Sequence, residues 1–229
     1  MPLNAMKKAF RKFRHDPRPP GTPESTEARG GSHPPDPAVA AAIATFQRFT
    51  PPYQLHFGCG AVHLPGWVNI DRDAVTNSID LSWDMREPLP IPDGSVKFIF
   101  HEHVMEHLTV EEGLAFSREC RRMLAPKGVL RVAMPDLAEC VRQYHENDWR
   151  QPWMQKYGYD FIQTRAETIN IAFRSWEHKW LYDHEELHRR LREAGFETTR
   201  DCRRLESEVA ELRGLETRDE SLLVVEAVK

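Results

Sequence analysis

Two glycines followed by a single carboxylate form the part of this sequence best suited to holding a nucleoside. A turn of Gly58, Cys59 and Gly60 follows a short apolar strand, and Asp71 comes directly after the next strand, residues 67–70. Glycine lacks the Cβ atom that would keep a ligand away from the backbone. A carboxylate that ends the neighbouring parallel strand lies beside such a turn and can accept both hydrogen bonds of a ribose diol. The spacing therefore predicts a nucleoside site.

The same spacing disfavours a dinucleotide. The dinucleotide fingerprint is G-x-G-x-x-G, with an acidic residue about 20 residues further on. Here His63 stands at the third glycine position, and Asp71 comes only 11 residues after Gly60. A pyrophosphate would lose the close approach of helix and strand that the third glycine permits. NAD is therefore not expected.

A histidine cluster in residues 101–108 raises a different hypothesis. His103, Glu106 and His107 match the H-x-x-E-H pattern of one class of zinc peptidase. On a helix the two histidines would be one turn apart and could share a zinc ion, with Glu106 as the base. This alternative is a zinc-dependent hydrolase. Because the motif follows a strand of an α/β alternation that already carries a nucleoside signature, we expect no metal.

Composition limits the remaining classes. The chain has 229 residues, 40% of them hydrophobic and 29% charged, and no apolar run near the ~20 residues of a membrane helix. Residues 37–229 carry a net charge of −7, which argues against a nucleic-acid partner. The four cysteines form no C-x-x-C pair, so neither a zinc ribbon nor a disulfide framework is indicated. A reducing, cytoplasmic location is the simplest expectation.

The first 36 residues differ from the rest. They carry a net charge of +3, and residues 16–37 contain seven prolines, so we predict a disordered tail and linker. Phe10 and Phe13 are one helical turn apart and would suit contact with a membrane surface or a partner. The basic residues are not followed by the apolar segment of a secretory signal, so we do not expect one. The Arg-rich start is compatible with a mitochondrial presequence, which is kept as an alternative.

Residues 37–229 are predicted to form one α/β domain with a late antiparallel strand pair. The alternation of strands and helices indicates a three-layer α/β sandwich. Thr109 and Glu112 form a capping box before one helix, and Asp183 is a candidate N-cap for another. The expected strands are residues 55–57, 67–70, 77–83, 96–101, 129–134, 196–204 and 222–228.

Several stretches, in this order and spacing, resemble a known family. They are LHFGCG, WVNID, DMREPLPIPDGSVKFIFHEHVMEHL and RRMLAPKGVLRVAMPD, followed later by LREAGF and LLVVEA. Together they resemble a class I methyltransferase that uses S-adenosylmethionine (AdoMet), close to the type-11 group, over roughly residues 53–136 and 176–229. The resemblance implies a Rossmann-like, mostly parallel sheet, AdoMet as cofactor and methyl transfer as the activity. A protein that binds AdoMet without catalysis is the remaining alternative.

The resemblance also implies cofactor contacts. Gly58 and Gly60 would pass under the methionine part of AdoMet, and Asp71 would take the ribose hydroxyls. Asp84 would accept from the adenine amino group, with Met85 against the ring. The full implied set is Gly58, Cys59, Gly60, Asp71, Arg72, Asp84, Met85, His101 and Glu102.

Two of these assignments depend on orientation. His101 and Glu102 end the fourth predicted strand and would sit under the sulfonium. Asp80 competes with Asp84 for the adenine contact, and either of them could simply cap a turn.

The acceptor is expected to be a small molecule or a saccharide, methylated at oxygen. The sequence lacks the N/D-P-P-Y/F run that marks many methyltransferases acting on the amino groups of bases and amides. His103 and His178 are the candidate catalytic bases, because histidine titrates near neutral pH. Purely structural roles for both histidines remain open, and the sequence does not indicate an oligomeric state.

Residues 137–182 are predicted to be a substrate lid or insertion. They hold four of the six tryptophans and four of the five tyrosines. Trp176, Glu177 and Tyr182 are the candidate acceptor-binding residues. Aromatic rings there could stack on a sugar or simply form a second packing cluster.

Overall fold

A seven-stranded sheet organises the part of the chain that the structure describes. The structure is a computed structural model that describes residues 36–73 and 78–229, so the predicted tail and residue 77 of the predicted third strand lie outside it. The strands are β1 (Tyr53–Phe57), β2 (Val68–Asp71), β3 (Leu81–Ser82), β4 (Val96–Glu102), β5 (Leu124–Met134), β6 (Thr198–Asp201) and β7 (Leu223–Val228).

The strand order is β3-β2-β1-β4-β5-β7-β6. The first five strands are parallel, and β7 runs antiparallel to both β5 and β6. This confirms the predicted α/β fold, with its mostly parallel, Rossmann-like sheet and its antiparallel C-terminal pair. Because β1 lies between β2 and β4, the strand order reverses at β1, and open α/β sheets bind ligands beyond the strand ends at such a point.

The described helices are α1 (Pro37–Phe46), α2 (Val110–Met123), α3 (Leu137–His145), α4 (Pro152–Lys156), α5 (Arg165–Arg174) and α6 (His184–Glu193). The predicted capping box is confirmed, because Glu112 N donates to Thr109 Oγ1 at 3.2 Å and Thr109 N donates to Glu112 Oε2 at 2.8 Å. The predicted N-cap is confirmed as well, since Glu186 N donates to Asp183 Oδ1 at 2.9 Å. Such caps satisfy backbone donors that the first helical turn leaves unpaired.

The predicted lid region contains helices α3, α4 and α5. Trp149, Met154 and Ile162 form a small apolar cluster there, separate from the main core. Among the described residues, no helix is both long enough and apolar enough to cross a membrane.

A fully buried arginine ties the C-terminal strands together. Arg131 lies on β5 opposite Glu226 on β7, and its Nη1 donates to Glu226 Oε1 at 2.7 Å. Its Nε donates to Glu216 Oε1 at 2.5 Å, and all three side chains have no exposed area. A buried charge persists only where partners of this kind compensate its lost hydration.

Candidate active site

The turn after β1 requires glycine at its first position. Gly58 has φ +64°, and a Cβ atom added there would lie 2.3 Å from Val104 Cγ2. Gly60 has φ +51°, and an added Cβ would have no neighbour within 4 Å. The backbone therefore presents an open surface at Gly60, while Gly58 packs tightly against the segment that follows β4.

Asp71 at the end of β2 is held against this turn. Its Oδ2 accepts from Gly60 N at 2.8 Å, and its Oδ1 accepts from Asp73 N at 3.2 Å. Beneath it, the fully buried Asn69 accepts from Leu64 N at 2.9 Å through Oδ1. These bonds fix the carboxylate beside the glycine turn, as the spacing predicted.

A cavity of about 260 Å³ opens over these strand ends. We call it the turn cavity; it is lined by Gly58, Asp71, Arg72, Asp84, Met85, His103 and Glu177, among others. Five of the nine predicted cofactor contacts therefore lie on one cavity. The other four, Cys59, Gly60, His101 and Glu102, are not among its lining residues.

Asp84 and Asp80 occupy different environments. Asp84 lines the turn cavity, and Arg86 Nε donates to its Oδ1 at 2.9 Å and to its Oδ2 at 3.1 Å. This side-chain hydrogen bonding holds the pKa of Asp84 below its usual range. Asp80 lies underneath, where its Oδ2 accepts from Asn69 N at 2.9 Å. Of the two competitors, only Asp84 lies on the cavity.

The side chains of His101 and Glu102 face the protein interior, which differs from the sequence-based expectation. His101 is fully buried against Phe116, and burial lowers its pKa to about 4. Glu102 accepts from Thr217 N at 2.9 Å and from Ser221 Oγ at 2.6 Å. The structure thus places Glu102 as an anchor for residues 217–221, because those donors surround its carboxylate.

Cys59 is a packing residue in this structure. It is 3% exposed, and burial raises the pKa of its thiol to about 12. A thiol that stays protonated is a poor nucleophile. We assign it no chemical role.

Replacing Glu102 with glutamine is expected to lower the free energy of unfolding by about 1–3 kcal/mol at pH 7, since buried donors lose a charged acceptor. Burial opposes ionisation, but the hydrogen bonds from Ser221 and Thr217 outweigh it, so the pKa of Glu102 lies below its usual value. A depressed pKa stabilises the fold above the usual glutamate value, and this contribution is lost as the pH falls below it. Urea unfolding of both proteins should show a difference that shrinks in acid.

The control for this prediction is Glu211→Gln, which removes an exposed carboxylate paired with Lys97. It should leave stability nearly unchanged, because exposed ion pairs contribute little. Equal effects of the two substitutions, or a Glu102→Gln difference that grows in acid, would contradict the prediction. His56 is the nearby titratable group that interacts with Glu102, so its titration must be followed in the same series.

A second cavity, of about 250 Å³, adjoins the first. We call it the aromatic cavity, since Trp153, Tyr159 and Trp176 line it. Their rings touch edge to face, with Tyr159 5.6 Å from both Trp153 and Trp176 between centroids. His103 and His107 line both cavities, so the two spaces share a histidine wall.

The predicted acceptor residues lie in three different places in the structure. Trp176 and His178 lie on the aromatic cavity, whereas Glu177 lies on the turn cavity. Tyr182 is 1% exposed in the main core and lines neither cavity. Its hydroxyl lies 2.9 Å from where a Gly113 Cβ atom would stand, so it packs against α2. The structure therefore corrects the expectation that Tyr182 faces an acceptor.

The zinc-hydrolase hypothesis required His103 and His107 to lie on one helix, and the structure does not place them on one. His103 has φ +54°, and only Met105–His107 forms a single 3₁₀ turn. His178, 71 residues further on, instead packs against His107, with ring centroids 4.9 Å apart. Trp176 and Glu177 also have positive φ, a strained conformation that clusters at functional sites.

Sequence reasoning missed the polar residues of the aromatic cavity. Asp136, Glu139 and Gln143 reach it from the start and face of α3, and Arg218 and Glu220 reach it from the segment before β7. Burial raises the pKa of Asp136 above its usual value. The available local signal was Asp136, which follows β5 closely, and a single carboxylate there is not specific.

Comparisons with known proteins agree with this geometry. Residues 55–132 match the family described as a methyltransferase domain. No curated protein matches the chain. A SAM-dependent methyltransferase from Thermotoga maritima is similar in structure, with 15% identity, a TM-score of 0.50, and coverage of 83% of this chain and 89% of that one.

Two further structures show weaker similarity. A SAM-dependent methyltransferase from Archaeoglobus fulgidus has 14% identity and a TM-score of 0.47, covering 83% of this chain and 91% of that one. PigF, solved with SAH, has 16% identity and a TM-score of 0.44, covering 84% and 56%.

The turn cavity fits AdoMet. Gly58 and Asp71 line it, and the bond from Gly60 N to Asp71 Oδ2 fixes the carboxylate beside the glycine turn. The matched residues span β1 to β5 and include the residues at the ends of β1, β2 and β4 that line the cavity. Residues 55–132 therefore match a methyltransferase domain, the chain is similar in fold to AdoMet-dependent methyltransferases, and AdoMet is the cofactor that the turn cavity fits.

Proposed function

We propose that this methyltransferase methylates a hydroxyl group of a small, sugar-like acceptor. The observation that carries the proposal is the shared wall of His103 and His107 between the turn cavity and the aromatic cavity. One space suits a nucleoside and the other suits a ring with polar substituents. A methyl group held at the wall would face an acceptor without any movement of the sheet.

On the cofactor side, Asp71 would accept from the ribose hydroxyls and Met85 would pack on the adenine. Asp84 would accept from the adenine amino group while Arg86 holds its carboxylate in place. Gly58 and Gly60 would let the methionine part lie close to the backbone, with Arg72 at the rim. We leave the side chains of His101 and Glu102 out of the proposed contacts, because they face the interior.

On the acceptor side, the aromatic rings support a saccharide or a similar ring. Sugar faces pack on aromatic rings, while Tyr and Trp keep a polar atom available for hydrogen bonding. Gln143 and Asp136 line the same cavity and offer hydrogen bonds to hydroxyl groups. Ligand pockets commonly combine such apolar walls with a few placed polar groups.

AdoMet supplies an electrophilic methyl group on a sulfonium. In the transfer, the acceptor oxygen forms a bond to the methyl carbon as the sulfur–carbon bond breaks, the bonding pair stays on sulfur, and the hydroxyl proton is lost to solvent. The protein mainly has to align the two reactants in line. His103 lines both cavities and would contact the acceptor, and Glu177 lines the turn cavity and would close the cofactor side.

A cationic amine is the second candidate acceptor. Asp136, Glu139 and Glu220 bring three carboxylates to the aromatic cavity, against one guanidinium, Arg218. The carboxylates and aromatic faces together favour a positive charge. An amine would therefore be attracted to this cavity, although it must lose a proton before methylation.

Trp176→Ala is the test of the acceptor site. Turnover is measured as release of S-adenosylhomocysteine (SAH) with a panel of sugar-like alcohols and of amines. We expect alcohols to be methylated, and we expect Trp176→Ala to raise KM by about 10-fold through lost stacking, with SAH affinity unchanged. Trp180→Ala is the matched control, since Trp180 is equally exposed but lines neither cavity.

Two results would overturn this proposal. Turnover with amines alone would replace the hydroxyl acceptor with the second candidate. A large loss of SAH affinity in Trp176→Ala would place Trp176 on the cofactor side.

We further propose residues 37–229 as the domain and residues 137–182 as its lid. A cytoplasmic location, no nucleic-acid partner and a membrane or protein contact for the basic tail stay predictions from sequence.

A further inference from the structure

Three potential metal ligands meet at the wall between the cavities. One ligand atom each from Glu106, His107 and His178 lies within 4.8 Å of the other two. His107 lines both cavities and His178 lines the aromatic cavity. Two histidines and one carboxylate are a ligand set that binds zinc and leaves a fourth position open.

Glu106 gives the independent sign that a cation belongs here. Its side chain is fully buried, and within the described part of the chain neither carboxylate oxygen accepts a hydrogen bond. The His103 ring lies beside this carboxylate, with its Nδ1 3.1 Å from Glu106 Oε1. A buried carboxylate whose only close side-chain contact of this kind is one imidazole is costly, and metal coordination is one of the few ways to compensate its lost hydration.

His178 is oriented as metal-binding histidines usually are. Its Nδ1 lies 2.7 Å from the Ala172 carbonyl oxygen, so Nδ1–H donates there and Nε2 is left as an acceptor. An imidazole that ligates a metal almost always donates its other ring N–H in this way, which fixes both tautomer and orientation.

A second cluster in the described residues does not share these features. His184, His188 and Asp201 also come within ligand distance of one another. Their polar atoms already bond each other or a neighbour: His188 Nε2 lies 2.7 Å from Asp201 Oδ1, and His188 Nδ1 lies 2.7 Å from Thr199 Oγ1. Asp201 of this cluster is also exposed, and we infer no metal site there.

We propose that Glu106, His107 and His178 bind one zinc ion, with its open position toward the aromatic cavity. This site differs from the H-x-x-E-H hypothesis, since its third ligand is His178 rather than His103, and it reverses the expectation of no metal. Its role rests on the proposed function: zinc would polarise the acceptor hydroxyl and ease loss of its proton before the methyl group is transferred.

Metal content gives a test that does not depend on turnover. Full-length protein is stripped with a chelator, dialysed against Zn²⁺ and analysed by elemental mass spectrometry, and its affinity is measured by competition with a chromogenic chelator. We expect one zinc per chain. His178→Ala should weaken the affinity at least ~100-fold, beyond the 10–100-fold typical of outer-shell changes. His184→Ala is the matched control and should keep both stoichiometry and affinity.

Cobalt provides a second readout. Co²⁺ added to the stripped protein should give the visible absorption of a four- or five-coordinate site, and this band should be missing in His178→Ala. Glu106→Gln is a further variant, and His178→Ala remains informative if loss of the buried carboxylate prevents folding. Thermal melts confirm that each variant is folded.

The outcomes separate this proposal from the proposed function. Absence of zinc after dialysis, or equal affinity in wild type and His178→Ala, overturns the metal site. SAH binding by calorimetry is expected to survive both metal removal and His178→Ala. Loss of SAH binding in folded wild-type protein would instead defeat the assignment of the turn cavity, whatever the metal result.

Discussion

An Asp71→Ala protein is expected to bind SAH about 10- to 100-fold more weakly than the wild type. The substitution removes the charged acceptor that we assign to the ribose diol, and hydrogen bonds to a charged group contribute about 1.5–3 kcal/mol. It also removes the partner of Gly60 N, which lies 2.8 Å from Asp71 Oδ2. Isothermal titration calorimetry with SAH measures the loss directly.

Two companion variants separate the ribose contact from the shape of the turn. Asp71→Asn keeps an oxygen for Gly60 N but removes the charge, so it should lose part of the affinity while melting like the wild type. Asp73→Asn changes an exposed carboxylate on the same cavity that does not end β2, and it should bind SAH nearly as tightly as the wild type. If Asp73→Asn and Asp71→Ala lose affinity equally, general charge rather than a ribose contact explains the result.

The position of Asp71 beside the glycine turn could be predicted because its signals are local. Gly58 and Asp71 belong to one short stretch, and parallel pairing alone brings the end of β2 next to the turn after β1. The capping box at Thr109 is equally local, since its partner is three residues away. A single sequence carries such short-range relations in its residue types and spacing.

The side chains of His101, Glu102 and Tyr182 point elsewhere than predicted, because their orientation depends on residues that are distant in the sequence. The end of β4 was placed correctly, but the donors that turn Glu102 inward come from Thr217 and Ser221, 115 and 119 residues later. Tyr182 is buried because α2 offers it a space over Gly113. Neither relation leaves a pattern in the neighbouring residues.

The aromatic cavity shows the same limit on a larger scale. The sequence shows that tryptophans and tyrosines concentrate in this region. It does not show that Trp149 packs in an apolar cluster while Trp153 lines the cavity. Glu220 comes to the cavity from the far end of the chain. The contact of His107 with His178 is likewise tertiary, so the zinc pattern in the sequence could pair His107 only with its neighbour His103.

Arg131→Met is expected to lower the free energy of unfolding by about 3–5 kcal/mol, the range seen when one member of a buried ion pair is removed. Glu216 and Glu226 have no exposed side-chain area, and within the described residues Glu216 would lose its ion-pair partner. Equilibrium urea unfolding at neutral pH measures the change. A Glu216→Gln substitution added to Arg131→Met should recover part of the loss, since it removes the stranded charge.

Arg142→Met is the control that isolates burial. Arg142 forms ion pairs with Glu139, Glu146 and Asp148, more partners than Arg131 has, but its side chain is 41% exposed. Exposed pairs gain little because water already solvates both charges, so the loss of stability should be small. Comparable losses in the two variants would mean that the number of ion pairs, rather than their burial between β5 and β7, determines how strongly the C-terminal strands are held.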